Sequence, residues 1–413
     1  MLFILIKQKN INFVLEVQFQ SFVTLSRILR KGKAHYKFLF TFSSIGVNKS
    51  TSLMIERIRI NNFKSIRKLD LTLKPINVLI GANGVGKTNF IGFFKLLNVL
   101  YKDELKKYIL THGKADSFLH FGSKVSDYLK GEIYFKQFNN INSYIFELIP
   151  NQASNLIIDT EDSGYGSSYS NLNYHNYSDL EYTSHVLTAS NTYRDEYLRG
   201  HFSNFKIYHF HDTSRAAALR TPCNLKDNRL LKEDGSNLAA FLYLLQEKYP
   251  KNFKFITRTI QAIAPFFKGF DLAPDKLDSD MITLVWEEKG SDMYLNAQSL
   301  SDGTIRFIAL ATLLLQPNPP STIIIDEPEL GLHPFAISKL AGLIKKASAK
   351  SQIILSTQSV NLVSNFEPES VITVDRADGQ SVFKRLDSQN LESWLEDYSL
   401  GDLWTKNIIG GQP

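Results

Sequence analysis

The stretch Gly81-Ala82-Asn83-Gly84-Val85-Gly86-Lys87-Thr88 decides how this chain folds. It meets every fixed position of the phosphate-loop pattern G-x-x-x-x-G-K-[ST]. Its flanks agree. Ile76-Asn77-Val78-Leu79-Ile80 reads as a buried strand leading in, and Phe90, Phe93, Phe94 and Leu97 recur at helical spacing after it. The chemistry needs that order. Glycines let the backbone curl so that its N–H groups face phosphate oxygens. The start of a helix adds partial positive charge. Gly81, Asn83, Gly84, Val85, Gly86, Lys87, Thr88 and the following Asn89 are the expected triphosphate contacts. Lys87 is expected to reach the β- and γ-phosphates, and Thr88 to place its hydroxyl on Mg²⁺.

Working outward, Ser321-Thr322-Ile323-Ile324-Ile325-Asp326-Glu327-Pro328-Glu329 is a short apolar strand ending in acids. Burying adjacent carboxylates is costly, so a strand has no structural use for them there. The reading is a Walker B segment. Asp326 is expected to hold Mg²⁺, and Glu327 to orient or deprotonate the attacking water. Upstream, Ser299-Leu300-Ser301-Asp302-Gly303-Thr304 precedes a helical run from Ile305 to Leu315. Alone, it would be a serine cap on a helix. Shortly before Walker B it resembles the ATP-binding-cassette signature L-S-G-G-Q, with Asp302 and Thr304 at two variable places. In that class, the signature of one subunit closes over the γ-phosphate held by another. Ser301, Asp302 and Gly303 are therefore expected to act in trans, in a head-to-tail ATP-sandwich homodimer.

Ile58-Arg59-Ile60-Asn61-Asn62-Phe63-Lys64-Ser65-Ile66 resembles the opening strand of SMC and RecF-like ATPases. Asp326-Glu327-Pro328-Glu329-Leu330-Gly331-Leu332-His333-Pro334 resembles their joined Walker B and D-loop. Four more stretches resemble bacterial stand-alone ATPases of the predicted AAA type. They are Phe118-Leu119-His120-Phe121-Gly122, Tyr208-His209-Phe210-His211-Asp212-Thr213-Ser214, Asp234-Gly235-Ser236-Asn237-Leu238 and Ser399-Leu400-Gly401-Asp402-Leu403-Trp404. The resemblance spans residues 54–413 and implies an α/β fold, a P-loop ABC-type ATPase head. It also implies ATP and Mg²⁺ as ligands, and a separately encoded nuclease or toxin effector in phage defence. A RecF-like DNA-repair ATPase is the alternative, and a nucleic-acid partner stays open. One position departs. ABC-type ATPases usually carry a switch histidine after the strand that follows Walker B, and here Gln358 stands in its place. Glutamine hydrogen-bonds a phosphate or a water but carries no proton charge, which argues against rapid turnover.

The chain has 413 residues, 43% of them apolar, enough for a substantial core. Its net charge of +6 misleads, because residues 1–53 hold eight Lys or Arg and one acid. The remainder is near neutral, so the basic pI of 9.0 says little about nucleic-acid binding by the ATPase body. Residues 1–53 carry apolar clusters without clean periodicity or the order of a signal peptide. Met54 opens the ATPase strand directly, so translation is expected to start there. A basic arm that binds nucleic acid or membrane is the alternative. Single Cys223 excludes a disulfide framework within one chain and fits a reducing cytoplasm. No apolar run approaches the ~20 residues of a membrane span, and no membrane partner is expected.

The expected organisation is an extension at 1–53, a first ATPase part at 54–130 and an inserted region at 131–298. A second ATPase part at 299–386 and a tail at 387–413 complete it. Within the insertion, Ile133, Phe135, Tyr144, Phe146 and Leu148 alternate as one buried strand face. Residues 163–184, rich in Ser, Asn and Tyr, read as a polar surface loop rather than a base-stacking surface. Lys248, Lys251, Lys254, Arg258 and Lys268 read as a solvated helix face, and His209, His211 and Asp212 as structural rather than metal-binding. Phe63 reads as core rather than as a partner of adenine. Only 55 residues follow Gln358, too few for a TOPRIM nuclease domain of about 100 residues. Any cutting is expected from another chain.

Overall fold

The structure is a computed structural model that describes residues 2–8, 11–17, 54–137, 139–178, 182–189 and 192–412. Its contacts divide the chain into two units, Met1–Lys49 and Ser50–Pro413. In the first, where the sequence suggested no element, Leu2–Gln8 and Ile11–Val17 pair as an antiparallel hairpin with Leu2 opposite Val17.

The second unit is built on two six-stranded sheets. The first runs in the order Phe205–Tyr208, Thr322–Asp326, Gln352–Thr357, Ile76–Ile80, Val371–Ala377, Gln380–Arg385. Its first five strands are parallel, and only the last pair is antiparallel. Strands buried on both faces read as continuous apolar runs, which is why Ile323-Ile324-Ile325 and Ile353-Ile354-Leu355 carry no polar alternation. Side chains still alternate across the sheet. Leu79, Ile324, Ile354 and Ile372 join the core on one face, around the helix Lys87–Tyr101. Val78, Ile80, Ile323, Ile325, Ile353 and Leu355 join the core on the other, with the helices Leu238–Lys248, Pro250–Ile263, Asp302–Leu315 and Pro334–Ala347.

The second sheet is wholly antiparallel, in the order Ile66–Thr72, Ile55–Phe63, Leu129–Gln137, Asn140–Pro150, Leu156–Ser168, Asn171–Tyr177. Ile133, Phe135, Tyr144, Phe146 and Leu148 are all buried on its inner face. The helix Lys87–Tyr101 lies between the sheets. Phe93 meets Phe63 edge-on at 5.6 Å and stacks on Phe146 at 6.0 Å, while Phe94 meets Phe205 at 6.4 Å. Phe63 is therefore core.

The expected insertion contributes strands to both sheets. The boundary at 130/131 falls inside the strand Leu129–Gln137, which pairs with the opening strand Ile55–Phe63, so the start of the insertion completes the sheet begun at residue 55. The strand Phe205–Tyr208, also placed in the insertion, is an edge of the parallel sheet beside Thr322–Asp326. The Ser/Asn/Tyr-rich stretch is not a loop for most of its length. Leu156–Ser168 and Asn171–Tyr177 are paired strands, because tyrosine favours the pleated surface and supplies contacts where aliphatic residues are missing. Arg57 lies over the Tyr169 ring at 5.2 Å, and Tyr134 meets it edge-on, so that tyrosine is engaged within the sheet. The tail folds onto the body. Leu400, Leu403 and Trp404 are buried, and Trp404 Nε1 donates to the Gly411 carbonyl at 3.1 Å.

Candidate active site

The phosphate loop runs from the end of Ile76–Ile80 into the helix Lys87–Tyr101. Gly86 is required by space as well as by dihedral angle, and Gly84 by dihedral angle alone. Gly86 has φ +120°, and a Cβ there would strike the hydroxyls of Ser381 and Ser65. Gly84 has φ +77° and faces open space. Asn83, Gly84 and Thr88 are exposed, whereas Gly81, Val85, Gly86 and Lys87 are buried. Two serines brace the loop from behind. Ser381 Oγ donates to the Val85 carbonyl and lies 2.6 Å from Ser65 Oγ, to which Asn89 Nδ2 donates at 2.7 Å. Asn89 thus bonds the loop to the opening strand's turn.

Lys87 Nζ donates to the Gly81 carbonyl at 2.6 Å and the Ala82 carbonyl at 2.8 Å. Burial pushes its ammonium below the ordinary range, and the charges of Glu327, Asp326 and Glu329 push back. Those carboxylates lie at the end of the strand Thr322–Asp326 and in the turn after it, so the topology brings the two sequence motifs into one electrostatic neighbourhood. Asp326 accepts from the Ser356 hydroxyl, and its carbonyl accepts from His211 Nε2 at 2.7 Å. Glu327 sits at φ +42°, a left-handed conformation that costs a non-glycine residue about 1–3 kcal/mol and recurs at functional sites. Its amide donates to the Ser356 carbonyl at 3.0 Å. Gln358 Nε2 donates to Glu327 Oε1. The residue in the switch position is therefore seated directly on the acid expected to act as base.

The signature lies on the other face of the parallel sheet. Ser301 caps the helix Asp302–Leu315, accepting from the Thr304 amide at 3.2 Å. A Cβ on Gly303 would sit 2.5 Å from the Gly331 carbonyl, so the helix start is pressed against the D-loop turn. Two buried arginines hold this region. Arg220 donates to the carbonyls of Thr213, Ala297 and Leu300, and to Asp302 Oδ1 at 2.8 Å. Arg306 donates to the carbonyls of Phe210 at 2.8 Å, His211 at 2.9 Å and Leu330.

A cavity of about 560 Å³ adjoins the loop, lined in part by Lys64, Ser65, Asn89, His120, Phe121 and Arg376. The stretch Phe118–Gly122 shapes it, with the Lys64 amide donating to the Phe118 carbonyl and His120 Nδ1 to the Lys64 carbonyl at 2.7 Å. Burial and the nearby Lys95 charge press the Lys64 ammonium downward. The cavity thus gathers cations beside the glycine-rich loop.

Residues 76–364, more than half of the chain, match the family described as "AAA domain, putative AbiEii toxin, Type IV TA system". The chain belongs to this AAA family. Solved structures similar to this AAA protein include SMC heads. An SMC head bound to the C-terminal winged-helix domain of ScpA matches at TM-score 0.55 and 17% identity, covering 82% of this chain and 99% of that one. The SMC head domain from Thermotoga maritima matches at TM-score 0.44 and 13% identity, covering 81% of this chain and 100% of that one. The first likeness shows the fold, a P-loop ABC-type ATPase head.

Sequence reasoning missed His211, Arg220, Arg306, Ser65, Ser381 and Glu329 as parts of this region. His211, Ser65 and Glu329 had a signal, because each lies in a stretch that stood out in the sequence, but none was given a role there. The basic residues Lys248, Lys251, Lys254, Arg258 and Lys268 are exposed, and Lys268 pairs with Glu287.

Proposed function

We propose that this AAA protein binds and hydrolyses ATP in a head-to-tail homodimer, and that the ATP-bound dimer controls a separately encoded effector, a nuclease or toxin, in antiviral defence. The observation that carries the enzymatic part is the placement of the Lys87 ammonium, held by its own loop carbonyls within the field of Asp326, Glu327 and Glu329. An incoming triphosphate would replace those carbonyls as the partner of the ammonium. Gly81 to Asn89 would cradle it. Glu327, steadied by Gln358, would take the proton of the attacking water.

Thr88 and Asp326 would hold Mg²⁺, and this hydroxyl–carboxylate set of hard oxygens fits that ion. When bound, Mg²⁺ neutralises charge on the phosphates. The trans role of Ser301, Asp302 and Gly303 is supported by the burial of the signature helix and the phosphate-loop helix in cores on opposite faces of one sheet. A γ-phosphate at one loop then needs a second copy's signature to be enclosed. We place the protein in the cytoplasm, a reading supported by buried, free Cys223. Among the described residues, no helix is long and apolar enough to cross a membrane.

Complementation tests the composite site. Lys87→Ala and Ser301→Arg proteins are each expected to be inactive alone, and mixing them restores phosphate release through one intact hybrid site. Two inactive proteins that stay inactive when mixed refute the trans arrangement. Recovery of a nuclease or toxin with the tagged protein, dependent on ATP, supports the effector role. ATP-dependent binding of DNA without such a partner favours the RecF-like alternative.

A further inference from the structure

Glu329 is the third acid of the Walker B turn, and the hydrolytic roles above leave it unused. It does not face solvent as a spare charge would. Its Oε1 accepts from the Thr357 hydroxyl at 2.5 Å and from the Gln358 amide at 3.2 Å. The Thr357 hydroxyl in turn accepts from the Ser359 amide at 3.0 Å, and Ser359 caps the short helix Val360–Val363 through the Leu362 amide at 3.2 Å. One carboxyl oxygen therefore fixes the exit of the strand Gln352–Thr357 over three consecutive residues. The middle residue of the three is Gln358, whose side chain donates to Glu327. Glu329 Oε2 is enclosed and has no hydrogen-bond partner among the described residues.

We infer that Glu329 is a positioning residue for ATP hydrolysis: it holds the main chain at Gln358 so that the Gln358 amide stays seated on Glu327. This rests on the ATPase reading proposed above. The bonds are long-range in sequence, between the turn after one strand and the exit of its neighbour, so they set the distance between the expected base and the switch position. Neighbouring side chains alone do not fix that distance, because Gln358 is exposed. Burial and the nearby Glu327 charge raise the Glu329 carboxyl above the usual carboxylate range. An acceptor role is open to a neutral carboxyl, because its carbonyl oxygen accepts both bonds. An acid with one bonded oxygen and the other enclosed without a partner otherwise weakens the fold, since an unsatisfied polar atom costs about 1–3 kcal/mol. Its presence is explained by what it holds in place.

The test is steady-state phosphate release by the full chain, with ATP affinity measured in parallel. Glu329→Gln is expected to keep kcat near wild type, because its amide oxygen accepts the same two bonds. Glu329→Ala is expected to lower kcat by roughly 100-fold with ATP affinity unchanged, the scale of a misplaced catalytic group. Thr357→Val, which removes the hydroxyl donor from the opposite end while keeping the shape, lowers kcat in the same direction and serves if Glu329→Ala does not fold. The decisive comparison is non-additivity. Glu329→Ala combined with Gln358→Ala is expected to be no slower than Gln358→Ala alone. A general loss of structure would instead add.

Wild-type turnover in both Glu329→Ala and Thr357→Val, additive losses, or a Glu329→Gln protein as slow as Glu329→Ala would each overturn the inference. Failure of the underlying reading looks different. In that case the wild-type protein releases no more phosphate than Glu327→Gln.

Discussion

Replacing Glu327 with glutamine separates binding from chemistry at this site. The carboxylate and the amide have the same shape, and the retained Oε1 can still accept from Gln358 Nε2. The left-handed backbone at φ +42° is equally open to both residues. What disappears is the ability to accept the water's proton. A positioned general base contributes about 10²–10⁴-fold, so kcat should fall by that factor, a barrier increase of about 3–5 kcal/mol. ATP binding should survive, because Lys87 and its loop are untouched. Glu327 is also the largest of the three carboxylate influences on the Lys87 ammonium, so removing it eases repulsion toward a triphosphate and favours tighter binding. Phosphate release, ATP titration by calorimetry and light scattering with ATP read the three quantities together. The expected pattern is stalled hydrolysis, retained or tighter binding, and accumulated dimer. A variant that hydrolyses at the wild-type rate refutes Glu327 as the base, and one that loses ATP affinity refutes the separation of roles.

Two further outcomes follow from buried groups. Arg306→Met removes a charged donor from three carbonyls in a buried site and is expected to cost about 3–4 kcal/mol, read as a lower urea midpoint; an unchanged midpoint would show the three bonds to be idle. His201 stacks on Phe135 at 4.5 Å, neither ring nitrogen has a hydrogen-bond partner among the described residues, and burial brings its pKa down to about 4. Below pH 6.5 the unfolded chain therefore takes up a proton that the folded chain refuses, so stability present at neutral pH falls as pH drops toward 4. Between pH 7 and 5 the loss from this group is about 2 kcal/mol. His201→Phe should flatten that part of the urea-stability profile, and an equally steep profile in the variant would assign the pH dependence elsewhere.

The phosphate loop, its strand and its helix were legible because each is local: a fixed glycine spacing, a continuous apolar run and a helical stripe of phenylalanines. The strand Thr322–Asp326 was legible for the same reason. The partners of these motifs were not. Arg220 and Arg306 look like surface cations in the sequence, and only the fold turns them into buried clamps on carbonyls. Glu329 stands in the sequence as a third acid of the Walker B stretch with no role of its own, and its partners Thr357 and Gln358 lie on the neighbouring strand's exit. Asn89 looks like a phosphate ligand, yet its amide is bonded to Ser65, a residue from the opening turn. The tyrosine-rich strands were misread because their polar composition imitates a loop, while their pairing depends on a sheet begun about a hundred residues earlier.

The order of strands in the parallel sheet also sets a timetable for synthesis. Ile76–Ile80 lies between Gln352–Thr357 and Val371–Ala377, and the Ile55 amide and carbonyl both bond the Gln352 side chain. On a ribosome that emits the chain from its N-terminus, the phosphate-loop strand emerges early and then waits for both of its neighbours. The antiparallel sheet can assemble once residue 177 is out, but the strand before the glycine-rich loop is not flanked on both sides until residue 377 has followed. A motif made early is among the last to be fixed. Through that interval an apolar strand with two unpaired edges is exposed, a natural site for a holding chaperone and for premature association between nascent chains.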